Sequence, residues 1–321
     1  MTMKQRITII GGGNFVGRRI ATLLAASDWA MPIAVDERFE TQAPWNRIVR
    51  LSDRPALTSI VAASDGIVSA TTGSPSHIVS TMQILADIVQ QQARPLRLVH
   101  ISSMTVYGGA TGLVSETTQA HGELSSYAAA RLEAERLTHS LPEVVTLRPG
   151  CEYGPECVHW SERVALWLHA RRLGDLGAAG DGYCNLTYID DIAEASVRAL
   201  RTANARGQTF NIATDTPPTW NEYFTRFAIS LNAVPVRRVT ARRLKFETKL
   251  LSVPLKLSEI ATAPTGLKHF VPPAIPPSLL ALCRQEIRLD VSRAQEVLGM
   301  AWTPVADGLA KAAAAFGGAK A

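Results

Sequence analysis

The chain has 321 residues, of which 46% are hydrophobic and 19% are charged, so it can bury a large core and is not intrinsically disordered. The net charge is only +5, which is weak grounds for a nucleic-acid partner, and we expect none. The sequence contains no run of about 18 apolar residues, so we expect no membrane-spanning helix. The first residues lack the pattern of a secretory signal.

The first half of the sequence alternates between strand patterns and helix patterns. Short apolar runs predict buried strands at 6–11, 32–36, 66–71, 96–103 and 143–150. Helical spacing predicts helices between them, at 14–27, near 56–63, at 78–92 and at 125–141. This alternation is typical of an α/β fold with a doubly wound parallel sheet of the Rossmann type, and that is the fold we predict.

After residue 150 the alternation loosens, and from about residue 217 prolines, basic residues and short helical runs dominate. We therefore predict a dinucleotide-binding domain formed by 1–150 with 186–214, and a smaller substrate lobe formed by 151–185 with 215–321. The alanine-rich tail at 310–321 is expected to fray. The proline-broken segment at 269–285 predicts a rigid crossing loop, which could form a lid.

The four cysteines form no CxxC pair and have no histidine at metal-ligand spacing; they are Cys151, Cys157, Cys184 and Cys283. We expect no metal site, unpaired thiols and a cytoplasmic location.

A glycine-rich stretch, "IIGGGNFVG", separates the first strand from the first helix. Such a turn lets the backbone approach a pyrophosphate, and the helix N-terminus offers free N–H groups and a partial positive charge. We predict a dinucleotide site at this turn, with cofactor contacts from Gly11, Gly13, Asn14, Phe15, Val16 and Gly17.

An acidic residue, Asp36, ends the second predicted strand, where a carboxylate would hold the adenosine ribose hydroxyls and repel a 2′-phosphate. Arg38 could compensate for such a phosphate. We therefore predict NAD as the cofactor and keep NADP as the second choice. Leu51, Thr71 and Pro149 complete the residues expected at the cofactor.

Four further stretches, together with the glycine turn, carry a family resemblance. They are "ISSMTVYG" (101–108), "YAAAR" (127–131), "LRPGCEYGP" (147–155) and "YIDDIAEA" (188–195), with the tail "RLDVSRAQEVLGMAWTP" (288–304). The chain resembles the extended short-chain dehydrogenases/reductases, in the NAD-dependent epimerase/dehydratase group. "YAAAR" is similar to that family's YxxxK, and "GGGNFVG" to its GxxGxxG.

The resemblance implies a catalytic set of Ser103, Tyr127 and Arg131. Residues four apart on a helix share a face, so Tyr127 and Arg131 can point into one cleft. A phenol there would move the substrate's hydroxyl proton during hydride transfer, with a nearby cation favouring its ionised form. Ser103, at the carboxyl end of a strand, would hydrogen-bond the substrate oxygen.

Two positions depart from the family pattern. Arg131 replaces the lysine of YxxxK; it keeps the charge but is effectively never neutral, so it cannot relay a proton. Asn14 replaces the middle glycine, where its side chain could crowd the pyrophosphate or bond to it. Asn tolerates left-handed backbone, so the turn can survive.

The reaction class remains partly open at this point. Met104 and Thr105 follow Ser103, and neither is a general acid or base at neutral pH, which disfavours a sugar dehydratase. A reductase/dehydrogenase or an epimerase acting on a hydroxyl or keto group of a sugar-like substrate or secondary metabolite remains. The alternative, favoured by Arg131 and Asn14, is a non-redox nucleotide-binding regulatory or scaffold protein.

The predicted substrate lobe holds the densest basic run, 236–245. It could meet the diphosphate of a nucleotide-sugar, a coenzyme A tail or an acidic carrier protein, but is better explained as a solvated helix face. The next segment, 249–260, could lie on a membrane surface, although packing on the core is favoured. Cys151 and Glu152 lie near the expected nicotinamide, with their roles undecided. The resemblance also implies a homodimer, formed by the helices at 78–91 and 126–138 through an alanine-rich face.

Overall fold

The computed structural model describes residues 3–262 and 273–318, which form eleven strands and twelve α-helices. The strands are β1 (Gln5–Ile10), β2 (Ala30–Asp36), β3 (Asn46–Ile48), β4 (Gly66–Ser69), β5 (Arg97–Ile101), β6 (Gly112–Val114), β7 (Val144–Pro149), β8 (Cys151–Tyr153), β9 (Leu186–Tyr188), β10 (Thr209–Ile212) and β11 (Ile287–Leu289). The helices are α1 (Phe15–Ala25), α2 (Arg54–Ala62), α3 (Pro75–Gln90), α4 (Ser126–Thr138), α5 (Arg163–His169), α6 (Ile189–Arg201), α7 (Trp220–Ser230), α8 (Ala241–Lys245), α9 (Ser252–Thr262), α10 (Pro277–Cys283), α11 (Ser292–Leu298) and α12 (Val305–Gly318).

Seven of the strands form one parallel sheet, in the order β10-β7-β5-β4-β1-β2-β3. Strands β4, β7 and the inner part of β5 are buried along their length, as expected of strands covered on both faces. The predicted doubly wound α/β fold is therefore confirmed. The edge strand β3 was not predicted, because its three residues are polar or exposed and give no apolar run.

Helices cover both faces of the sheet. On one face α1 packs against α6, and Ile20 and Leu24 of α1 are fully buried there. On the other face α3 packs against α4, over a second core that includes Leu85 of α3 and Ala134 of α4. The alanines of α4 that we expected to admit a partner lie mostly inside the subunit, since Ala128, Ala130 and Ala134 are all buried.

The order of the strands reverses between β1 and β4. The chain runs outward from β1 to β2 and β3 on one side, and from β4 to β5, β7 and β10 on the other. In open parallel sheets a ligand crevice forms at such a switch point, outside the carboxyl ends of the strands. The glycine turn after β1 and the residues that follow β4 meet at this point.

The remaining elements lie mainly after residue 150. Strands β8 and β9 pair with each other, as do β6 and β11, outside the main sheet. The largest buried cluster joins residues of both predicted parts, for example Ile9 of β1 with Phe224 of α7. The division into a cofactor domain and a substrate lobe remains a prediction.

Two expectations for the end of the chain change. The tail was expected to fray, but α12 is helical to Gly318 because Leu309, Ala312 and Ala313 are buried against the core. Of the predicted crossing loop, residues 269–272 lie outside the described residues, and the rest includes the short helix α10.

All four cysteines are buried, and none forms a disulfide with another described residue. Within 3–262 and 273–318, no helix has the length and apolar content needed to cross a bilayer.

Candidate dinucleotide and hydroxyl-oxidation site

The glycine turn is shaped by close backbone approaches. Gly11 has a φ of +79°, and a Cβ added to it would lie 2.8 Å from the carbonyl oxygen of Ala70, just after β4. A Cβ on Gly17 would collide with the carbonyl of Gly11, which lets α1 start tightly against the turn. These two positions therefore need glycine for backbone reasons, as the motif predicts.

Asn14 caps the first helix. Its Oδ1 accepts a hydrogen bond of 2.9 Å from the N–H of Gly17, and its Nδ2 donates to the carbonyl oxygen of Ala70 at 2.5 Å. Its backbone is extended, with a φ of −83°, so the turn does not use the left-handed conformation that Asn tolerates. The bond to Gly17 is the usual role of Asn at an N-cap, and the bond to Ala70 ties the start of α1 to the end of β4.

Two amide groups remain open at the start of α1. The N–H of Gly17 is used by Asn14, whereas the N–H groups of Phe15 and Val16 have no acceptor within the described part of the chain. Unpaired amides at a helix N-terminus, with its partial positive charge, suit a pyrophosphate. The turn therefore fits the group that the motif predicts.

Asp36 lies directly beside the turn. Its Oδ2 accepts a hydrogen bond of 2.9 Å from the N–H of Gly13, and its Oδ1 accepts one of 2.7 Å from Glu37. A Cβ on Gly13 would lie 3.0 Å from the same carboxylate, so Gly13 also permits this approach. The carboxylate keeps lone pairs for further donors, such as ribose hydroxyls. Arg38 is exposed nearby.

The other predicted cofactor residues lie in different surroundings. Thr71 is buried at the switch point, with its hydroxyl 3.3 Å from Ser69 Oγ. Pro149 is the last residue of β7. Leu51 is 2% exposed and belongs to the core under α2 and α3, and its N–H donates to Glu37 Oε1 at 3.3 Å.

The predicted catalytic pair on α4 is in contact. Arg131 Nε donates a hydrogen bond of 2.9 Å to the hydroxyl oxygen of Tyr127, and the guanidinium carbon lies 5.0 Å from the centre of the tyrosine ring. Arg131 is 5% exposed, while Tyr127 is half-buried and can reach a ligand. Helix geometry brings them together, since they are four residues apart.

Arg131 also binds the ends of two strands. Its Nη1 donates to the carbonyl oxygens of Thr71 at 2.9 Å and Ile101 at 3.0 Å. The guanidinium thus links α4 to the carboxyl ends of β4 and β5, beside the glycine turn. Only its Nη2 has no acceptor within the described residues. An arginine can make these contacts at once because its donors form a rigid fork.

Ser103 follows β5 by two residues, so it lies on the same edge of the sheet as the carbonyl of Ile101. It is half-buried, and its Oγ accepts a weak hydrogen bond of 3.3 Å from the N–H of Thr105. The neighbouring hydroxyls of Ser102 and Thr105 are buried without a hydrogen-bond partner in the described chain. The carboxyl end of β5 therefore presents several hydroxyl groups.

Glu152 adds a titratable carboxyl group to the site, and the sequence alone does not decide its role. Its neighbours in β8, Cys151 and Tyr153, face the core, so the alternation of the strand turns Glu152 the other way. Burial raises the pKa of the Glu152 carboxyl to about 6, and the positive charge of Arg131 opposes that rise. Glu152 is thus within electrostatic reach of the Tyr127–Arg131 pair.

His100 was missed by the sequence analysis. It is 1% exposed, and neither ring nitrogen has a hydrogen-bond partner among the described residues. Burial lowers its pKa to about 3, and the charge of Arg131 adds to that effect. A histidine among the apolar residues of the stretch "LVHI" in β5 was the available signal.

A parallel sheet with a glycine turn at its switch point defines a dinucleotide-binding protein of the Rossmann type. The family model described as "NAD dependent epimerase/dehydratase family" matches residues 7–213. The chain therefore belongs to the NAD-dependent epimerase/dehydratase family, and the predicted resemblance is confirmed.

Solved structures share this fold over nearly the whole chain, at low sequence identity. UDP-glucuronic acid 4-epimerase from Bacillus cereus, in complex with NAD, is 18% identical with a TM-score of 0.73, over 98% of this chain and 100% of that chain. The Bordetella bronchiseptica enzyme WbmH, in complex with NAD+, is 16% identical with a TM-score of 0.69, over 98% of both chains. UDP-glucose 4-epimerase from Thermotoga maritima, with UDP-glucose, is 15% identical with a TM-score of 0.72, over 98% and 100%. No curated protein sequence matches the chain.

Proposed function

We propose that the protein is a NAD-dependent oxidoreductase or epimerase acting on a hydroxyl or keto group of a sugar-like substrate or secondary metabolite. The hydrogen bond between Arg131 and Tyr127, at the edge of the sheet that carries the glycine turn, is the observation that carries this proposal. Membership of a family described as NAD-dependent supports the cofactor, as do the similar structures that hold NAD.

The cofactor would be held by the turn and its neighbours. The amides of Phe15 and Val16 would bind the pyrophosphate, and Asp36 would accept hydrogen bonds from the adenosine ribose. Gly11, Gly13 and Gly17 give the backbone its shape there, while Leu51, Thr71 and Pro149 complete the surroundings. We prefer NAD to NADP because a carboxylate beside the turn repels a 2′-phosphate, although Arg38 keeps NADP as the second choice.

Bound NAD supplies a ring carbon that accepts or returns a hydride. Tyr127 takes the proton of the substrate hydroxyl as the hydride leaves, and gives it back in the reverse direction. Arg131 stabilises the phenolate through its charge and its Nε hydrogen bond, and its Nη2 is the donor left for a ribose or a substrate. Ser103 donates to the substrate oxygen and steadies the charge that develops there.

Glu152 gives this site a carboxyl group whose pKa is raised to about 6 by burial. Its carboxyl belongs to the segment expected beside the nicotinamide, and its charge state acts on Arg131 through space. A protonated Glu152 can donate a hydrogen bond to a sugar hydroxyl, whereas the carboxylate can only accept one. We propose that Glu152 orients the substrate.

The substrate class follows from two features. The similar structures include enzymes whose names specify UDP-glucuronic acid and UDP-glucose. The basic run at 236–245 includes Arg237, whose exposed side chain has no ion-pair partner within the described chain. We propose a nucleotide-linked sugar, with an epimerase and a reductase as the two possible reactions.

The rival function is a nucleotide-binding regulatory or scaffold protein without redox activity. The observation that favours it is the engagement of Arg131 Nη1 by two main-chain carbonyls, which is a structural role. Exposure of the NAD-loaded protein to a crude metabolite extract distinguishes the two, because only an enzyme changes the redox state of the cofactor or converts a metabolite.

We also propose a homodimer formed through α3 and α4, and a cytoplasmic location. The dimer rests on the family resemblance, and the buried alanines of α4 mean that other side chains of these helices would make the contact. The four unpaired cysteines are in keeping with a reducing compartment.

The proposal is tested by incubating the protein and NAD with a panel of nucleotide-sugars. Nicotinamide absorbance detects net oxidation or reduction, and proton NMR detects epimers that form without net redox change. Tyr127→Phe is the matched control. Conversion by the wild type and not by the variant supports the proposal, whereas equal conversion by both contradicts it.

A further inference from the structure

The helical run 241–262 has an unusual distribution of side chains. It consists of α8, one π-helical segment (Phe246–Leu251) and α9. Five large apolar residues on it are exposed, which we call the apolar stripe: Phe246 (49%), Leu250 (65%), Val253 (62%), Leu257 (63%) and Ile260 (60%). Their spacings of four, three, four and three residues place them on one face of a helix.

The inward side of the run carries both leucines and buried polar groups: Leu244 belongs to the main core cluster, and Leu251 and Leu255 are half-buried. Glu247 is buried in an ion pair with Arg172, with Oε2 2.6 Å from Nη2 and 3.0 Å from Nε. The hydroxyl of Thr248 is also buried and donates to the carbonyl of Leu244 at 2.8 Å, and Ser252 is buried beside them. A surface helix of a water-soluble protein normally has a polar outer face, so the five exposed apolar side chains are unusual for this run. Within 249–260, Ser252 is buried and Leu251 and Leu255 are half-buried, whereas the residues of the apolar stripe are exposed.

Basic residues flank the apolar stripe. The run contains Arg242, Arg243, Lys245, Lys249 and Lys256, all exposed. The run contains two acidic residues, Glu247 and Glu259. Glu247 is turned inward and paired with Arg172. An apolar face bordered by lysine and arginine is typical of helices that lie in the plane of a membrane interface.

We propose that the apolar stripe docks the protein on an anionic lipid surface, with the helix parallel to the bilayer plane. The stripe is about 21 Å long on a helix about 10 Å wide, which gives a footprint several times smaller than the roughly 800 Å² that each partner buries in a stable protein interface. Two copies meeting at their stripes would also oppose two sets of like charges. A lipid surface needs no matching pocket, and its negative headgroups complement the flanking cations.

The test is co-sedimentation of the full chain with vesicles. Vesicles of equal parts phosphatidylcholine and phosphatidylglycerol are compared with vesicles of phosphatidylcholine alone. We expect binding to the anionic vesicles that weakens as salt is added. The double variant L250Q/L257Q should bind roughly a hundredfold more weakly, because each leucine is worth roughly a factor of ten in a partition constant. Lys249→Glu should weaken binding to the anionic vesicles only.

Ile229→Gln is the matched control, because Ile229 of α7 is equally exposed (62%) but lies off the stripe; its binding should equal that of the wild type. Circular dichroism establishes that each variant is folded. Failure of the wild type to bind anionic vesicles, or equal binding by L250Q/L257Q, would overturn the proposal. Conversion of a dimer to a monomer by L250Q/L257Q would also overturn it, since the stripe would then be covered by a second copy.

Discussion

The Nε of Arg131 lies 2.9 Å from the hydroxyl oxygen of Tyr127, while its Nη1 bridges the carbonyls that end β4 and β5. One side chain therefore places a positive charge against the phenol and fixes that charge to the sheet. A lysine has a single nitrogen and could not keep the same contacts at the same positions.

The first prediction concerns Tyr127→Phe. Loss of the hydroxyl removes the group that moves the substrate proton, so kcat should fall by about 10²–10⁴-fold. The NAD dissociation constant should be unchanged, because the glycine turn and Asp36 are untouched. Steady-state kinetics on an active nucleotide-sugar and calorimetric titration with NAD measure the two quantities. Full activity in the variant would remove Tyr127 from the mechanism.

Arg131→Lys provides the second prediction. The lysine keeps the cation beside Tyr127, so kcat should be retained or raised. The carbonyls of Thr71 and Ile101 lose at least one donor, so the free energy of unfolding should fall by about 1–3 kcal/mol. Steady-state kinetics should therefore show a kcat at or above the wild-type value, while denaturant unfolding shows a lower free energy of unfolding.

Arg131→Met is its control, because it removes the charge and every donor. It should be less stable than Arg131→Lys and should lose activity. An inactive but stable Arg131→Lys would mean that the guanidinium has a specific task, such as gripping an anionic substrate.

Much of the fold and site can be predicted from local patterns. Apolar runs in the sequence predict the buried strands, and the motif around Gly11 and Gly17 predicts the turn at the switch point. The spacing of Tyr127 and Arg131 predicts their contact, since helix geometry is a local property.

Other features depend on residues distant in sequence. The bonds of Arg131 to Thr71 and Ile101 cross 60 and 30 residues. The bond of Asn14 to Ala70 crosses 56, so its role as a brace between strands has no local pattern. The exposure of the apolar stripe could not be predicted for the same reason. Which face of a helix turns inward depends on contacts with residues distant in sequence, such as the ion pair between Glu247 and Arg172.

A third prediction follows from the cap formed by Asn14. Asn14→Ala removes the acceptor for Gly17 N–H and the donor to Ala70, so the protein should lose about 1–2 kcal/mol of stability. Asn14→Gly should cost only a few tenths of a kcal/mol from the cap itself. Thermal unfolding compares the two variants.

The Asn14→Gly variant also tests whether the Asn14 side chain obstructs the cofactor. Because it is tied back to Ala70, Asn14→Gly should leave NAD affinity within about threefold of the wild type, less than 1 kcal/mol. Much tighter binding by the glycine variant would mean that Asn14 crowds the pyrophosphate.

The fourth prediction uses the raised pKa of Glu152. Its folded value of about 6 lies above the ordinary value of 4.5, so the folded state favours the protonated carboxyl. The associated stability is fully present below pH 4.5 and is lost as the pH rises through 6. Glu152→Gln, which stays neutral, should match the wild type at pH 4.5 and be more stable by about 1–2 kcal/mol at pH 7.5.

Chemical unfolding at the two pH values measures this difference. If the difference in free energy of unfolding between Glu152→Gln and the wild type were the same at pH 4.5 and pH 7.5, the pKa of Glu152 would not be raised. In kinetics, any inflection near pH 6 in kcat/KM should disappear in Glu152→Gln if the carboxyl orients the substrate.

The central claim is a working NAD site at the glycine turn, and calorimetric titration with NAD, NADH, NADP and NADPH tests it most directly. We predict micromolar binding of NAD and NADH, with weaker binding of the phosphorylated pair that improves in Asp36→Ser, because the carboxylate of Asp36 repels a 2′-phosphate. Binding of none of the four would contradict the account and would leave the fold without its proposed cofactor.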